Sequence, residues 1–203
     1  ALGEVKVSVP QRLSLAVVQR FLQEKSDWVV SRRKQINAVP KPLSPQLVTG
    51  ECHFFLGEPY TLIVHQNSKE NDFSIEGTTM QCFCKAGDDV NARYFLLQNW
   101  YRQKLHQLLP DLIKKWELVI GVKAKSWGIK AMKTRWGSCN PSTKTICINL
   151  HLIQKPLNCL EMVIVHELIH LLEPSHNERF YALMSQFMPD WKSYKNQLKQ
   201  PMH

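Results

Sequence analysis

Three histidines and a glutamate fall within HELIHLLEPSH, residues 166–176. On a helix that advances about 100° per residue, His166 and His170 lie about 40° apart, so both imidazoles can reach one metal ion. Glu167 follows the first histidine directly. It is set beside the ion rather than on it, the place of a general base acting on water at the metal. Pro174 turns the chain after the helix and lets His176 swing back as a third ligand. Three protein ligands with one open position are the pattern of a catalytic zinc site, whereas a structural site is closed by four. Imidazoles suit zinc, and also iron, nickel or cobalt.

A lone histidine on an apolar helix is ordinarily a satisfied core residue. Three among Met162, Val163, Ile164, Val165, Leu168 and Ile169 are different, because burying polar rings there costs a few kcal/mol unless something binds them. The longer HExxHxxGxxH pattern of the metzincins requires glycine where this chain has Glu173, so that class is set aside.

The elements that must position these residues are legible in outline. EVKVSVP at 4–10 alternates like a strand, and after Ser14 the spacing of Val18, Phe21, Leu22, Trp28 and Val29 predicts a helix. The proline-rich stretch 38–50 reads as a loop. HFFLGEPYTLIVH at 53–65 and TTMQCFC at 78–84 predict a small sheet. From Asp88 or Asp89 a long amphipathic helix is expected, bent or broken at Pro110. WGIKAMK and TICINLHLI predict two strands joined by a turn in WGSCNPSTK. Asn158 with Glu161 resembles a capping box opening the histidine-bearing helix, which Pro174 stops. Two further helices are expected, at 177–187 and from Pro189 or Asp190. The domain reading is a β/α part at 1–85 and a metal-dependent hydrolase domain at 86–203.

No apolar run reaches the 18 residues of a membrane span and no leader is recognisable, so a soluble cytoplasmic protein is expected. Six irregularly spaced cysteines in such a chain read as reduced thiols. The net charge of +9 is uneven: residues 118–160 carry seven lysines and arginines and no acid. Such a field attracts phosphates, including those of a nucleic acid, or is simply a solvated face. Lys133 and Arg135 are its candidate phosphate contacts.

MKTRWGSC at 132–139, INLHLI at 148–153 and HELIHLLEPSHNERFYALMSQFMPDWK at 166–192 together resemble the YgjP-like family of zinc-dependent hydrolases, related to SprT-like proteins. The resemblance implies an α+β, zincin-like fold, with an active-site helix beside a small mixed sheet whose edge flanks the cleft. It implies one zinc ion held by His166, His170 and His176, with Glu167 as general base and then proton donor. It also sets the WGSC segment near the cleft, where Arg135 and Trp136 become candidate substrate contacts. Tyr181 is a candidate oxyanion donor. Polypeptide cleavage is the leading expectation, with UTP pyrophosphatase chemistry on the same site as the alternative. A non-catalytic, zinc-stabilised module binding nucleic acid is the third, although such a module has no need of Glu167.

Overall fold

The structure is a computed structural model that describes residues 5, 7–10, 12–38 and 45–200, and it divides into two compact units, Ala1–Ser44 and Pro45–His203. In the first unit, helix α1 spans Leu15–Ala38 and starts where expected, the Ser14 carbonyl accepting from Val17 and Val18. Val5 and residues 7–10 carry no strand. Glu4 and Lys6 of the strand expected at 4–10, and residues 39–44 of the expected loop, lie outside the described residues.

The second unit opens with a four-stranded sheet: β1 Cys52–Phe55, β2 Glu58–His65, β3 Asp72–Glu76 and β4 Thr79–Phe83, in the order β1-β2-β4-β3. β1 and β2 form a hairpin through Leu56 and Gly57, both at positive φ (51° and 91°), a two-residue turn whose twist matches paired strands. Its tip docks on the later chain. Leu56 and Gly57 donate to the carbonyls of Ile153 and Gln154 at 2.7 and 3.2 Å, and a Cβ at position 57 would fall 2.8 Å from Cγ of Pro156. Only glycine fits there.

Helix α2, Val90–Ile120, begins at Asp89, whose carboxylate accepts from the Ala92 amide, and ends on Gly121 in the left-handed region. Its 31 residues span about 46 Å. It is not broken at Pro110, because the buried face Leu105, Leu109, Ile113, Trp116 and Ile120 continues across the proline, and that packing outweighs one lost backbone hydrogen bond. The helix ties the unit together. Tyr101 donates to the Phe54 carbonyl (2.8 Å), Arg102 to the Ile129 carbonyl (2.9 Å), and Lys115 Nζ and Trp116 Nε1 each to Glu161 Oε2 (2.7 Å).

The second sheet holds β5 Ser126–Lys130, β6 Gly137–Asn140 and β7 Thr145–Asn149 in the order β5-β7-β6, with β5 parallel and β6 antiparallel to β7. Two expectations are corrected here. GSCN is an edge strand rather than part of a turn, and LHLI belongs to a 3-10 helix, Leu150–Gln154, capped by the Asn149 side chain accepting from His151 N.

Helix α3, Leu157–Ile169, is apolar nearly all round and buried. The expected capping box is absent. The helix starts one residue before Asn158, and the Glu161 carboxylate is committed to Lys115 and Trp116 of α2. The helix stops at Ile169, ahead of Pro174, and α4 Glu178–Phe187 and α5 Trp191–Lys199 follow as expected, with Asn177 capping α4 through the Phe180 amide. The fold class is α+β, with the histidine-bearing helix beside a small mixed sheet.

Candidate metal centre

α3 presents His166 in its last turn and His170 as its C-cap; the segment between α3 and α4 returns His176 to them. Their ligand nitrogens all lie within 4.8 Å of one another. Nε2 of His166 and Nε2 of His176 face each other at 3.0 Å, close to the roughly 3.3 Å that two tetrahedral ligands of one zinc ion adopt. His170 Nδ1 donates to the Glu173 carbonyl at 3.1 Å. A carbonyl can only accept, so this bond fixes the tautomer and leaves Nε2 free to ligate.

Phe180, fully buried on α4, floors the triad, its ring centroid 4.9, 4.7 and 4.7 Å from those of His166, His170 and His176. Burial, and then the neighbouring His170, His176 and Lys195, press the His166 pKa down to about 3; burial followed by His170 and Lys195 lowers that of His176. His166 and His176 are therefore held towards the neutral form that binds a metal. Three imidazoles converging on one point fit a single divalent ion of the zinc type.

Glu167 is 5% exposed and packs against the backbone of Gly137 on β6, where a Cβ would fall 2.5 Å from its Oε1. Burial pushes its carboxyl up to about 8, with Arg135 acting in the opposite direction. Triad and glutamate open into a cleft of about 610 Å³, walled by Arg135 and Trp136, by Gly137–Cys139 of β6, and by Lys195 of α5. Among the described residues, Glu167 is the only acid lining it.

Residues 1–201 match the family model described as the YgjP-like metallopeptidase domain. The chain belongs to that family. Among solved structures, this YgjP-like chain is similar to the metallopeptidase zymogen abylysin of Pyrococcus abyssi, at 17% identity and a TM-score of 0.42, covering 45% of this chain and 91% of that one. It is also similar to the zymogen jannalysin of Methanocaldococcus jannaschii, at 21% identity and a TM-score of 0.39, covering 44% and 91%. No curated protein matches.

The other expected site residues of this YgjP-like domain are scattered. Arg135 and Trp136 line the cleft, whereas Lys133 lines a neighbouring cavity that shares those two residues. Tyr181 is not on the cleft wall: its ring lies 6.3 Å from His176 and stacks on Trp191 at 5.6 Å. Gly137, Phe180 and Lys195 were not foreseen. Only Gly137 had a readable signal, as the lone glycine in the WGSC segment. All six cysteines are free, and among the described residues no helix is long and apolar enough to cross a membrane.

Proposed function

We propose that this chain is a zinc-dependent metallopeptidase. The observation that carries the reading is the joint placement of Glu167: one residue from a three-histidine site, buried, and against the edge strand that lines the cleft. His166, His170 and His176 would hold the ion. A zinc ion there supplies Lewis-acid polarisation of the scissile carbonyl and makes water easier to deprotonate.

The remaining work belongs to the chain. Glu167 accepts the proton of the attacking water on a carboxylate oxygen and hands it to the leaving amine. β6 has β7 on one side only, so its outer edge can pair with an extended substrate backbone and lay it across the cleft. Phe180 closes the floor behind the imidazoles.

A second reading, nucleoside triphosphate pyrophosphatase on the same residues, is favoured by one observation: the cleft carries Arg135 and Lys195. The test sets unstructured polypeptides beside UTP, with zinc-loaded protein and Glu167→Gln as control. Peptide cleavage lost in the variant at unchanged metal content supports the peptidase; diphosphate release lost in the variant, without peptide cleavage, sinks it.

A further inference from the structure

The cavity beside the cleft has a composition the hydrolytic reading leaves unused. It encloses about 280 Å³ and shares Arg135 and Trp136 with the cleft, so a substrate lying there can extend a group into it. Among the described residues its remaining lining includes Met132, Lys133, Asn149 and His151, and no acid. Among the described residues neither Lys133 nor Arg135 has a carboxylate within ion-pairing distance.

The wall is built rather than incidental. Asn149, 3% exposed, turns its whole amide on the loop that carries these residues: Nδ2 donates to the carbonyls of Met132 (2.9 Å) and Arg135 (2.6 Å), while Oδ1 accepts from the amides of Met132 (3.3 Å) and His151 (3.1 Å). The Asn149 amide in turn donates to the Trp136 carbonyl at 2.9 Å. Residues 132–136 are thus pinned at both ends, and the two cations project from a fixed backbone.

We propose that this cavity is a recognition pocket for an acidic side chain of the substrate, a glutamate or aspartate near the scissile bond. The inference rests on the peptidase reading. At about 280 Å³ the cavity lies at the lower end of the range for small-molecule pockets, about 300 Å³ and upward, and has room for one side chain. Met132 and Trp136 give apolar surface for the methylenes, and Lys133 and Arg135 give charge-assisted hydrogen bonds to the carboxylate.

The test uses the cleavage-impaired Glu167→Gln protein, loaded with zinc, and fluorescent peptides that differ only in glutamate against glutamine, scanned through each position. At one position the glutamate peptide binds about tenfold more tightly. That preference shrinks in Lys133→Met, whose affinity for the glutamine peptide holds, and vanishes in Lys133→Met with Arg135→Met. Equal binding at every position, or a preference that survives the double substitution, overturns the pocket. Displacement of peptide by UTP that depends on Lys133 overturns the side-chain assignment in favour of phosphate. If the glutamate preference holds but zinc-loaded wild-type protein cleaves neither peptide, the pocket stands and the peptidase reading falls.

Discussion

Gly137 and Glu167 occupy one space: the position a Cβ would take on the strand residue lies 2.5 Å from Oε1 and 2.9 Å from Cδ of the buried carboxylate. The glycine is needed for its missing side chain and not for its backbone freedom, since its φ is not positive. Gly137→Ala should therefore displace the base without unfolding the strand. We expect hydrolysis to fall by about 100-fold or more, as a displacement of about 1 Å can do, with metal content unchanged by elemental analysis.

Phe180 touches all three imidazoles and is fully buried. Phe180→Ala should cost about 3–5 kcal/mol, seen as a Tm lower by roughly 6–20 °C, and should weaken zinc binding because the rings lose their floor. Phe180→Leu should recover part of both. Unchanged zinc affinity in the alanine variant would show that the triad is held from elsewhere.

The metal-free protein should show the Glu167 proton in its stability. The folded pKa of about 8 is above the ordinary 4.5, so the contribution is fully present below 4.5 and is lost as pH rises towards 8. His166 runs the other way: pressed from 6.5 to about 3, it contributes fully above 6.5 and loses that contribution as pH falls towards 3. Of these two groups only Glu167 titrates between pH 6.5 and 8. Urea unfolding of the metal-free wild type across that window should fall by about 2 kcal/mol relative to Glu167→Gln, one proton at about 1.4 kcal/mol per pH unit. Parallel profiles for the two proteins would place the carboxyl in a more polar setting.

Asn149→Asp should release the loop it pins. A carboxylate cannot donate to the carbonyls of Met132 and Arg135, so at least about 2 kcal/mol of stability should go. Exchange of the backbone amide at position 149, which donates to the Trp136 carbonyl, should speed up as the loop is released, measured by hydrogen exchange.

Glu161 is a tertiary tie rather than a cap, and a double-mutant cycle separates the two roles. Removing its carboxylate leaves Trp116 Nε1 half-buried without its acceptor, so Glu161→Ala should cost about 1–3 kcal/mol. Its effect should be strongly non-additive with Trp116→Phe. Full additivity would return the glutamate to a local role in α3.

The cluster of candidate metal ligands was legible because it is local: HELIHLLEPSH needs only one helix and one turn to bring its nitrogens together. The long periodic helix α2 and the capped helix α4 were legible for the same reason. β6 was not, since Gly-Ser-Cys-Asn has little strand propensity and becomes a strand only through its pairing with β7. DFSIE was missed as β3 because five residues held by β4 give no long period to read. The Asn158 and Glu161 pattern misled because a partner on α2, 45 residues away, takes the carboxylate. Lys195 reaches the cleft from α5 with no motif around it, and only the packed structure brings it there.

All three donors come from eleven consecutive residues, and the last of them is carried on the segment between α3 and α4. Little chain entropy is spent in closing so short a loop. Exchange of an ion held there would therefore require only a local opening at 171–176, with α3 and its buried surroundings intact, and not a passage through the unfolded chain. Metal turnover and protein turnover would then be separable, and a chelator should strip the zinc-loaded site on a timescale much shorter than that of global unfolding.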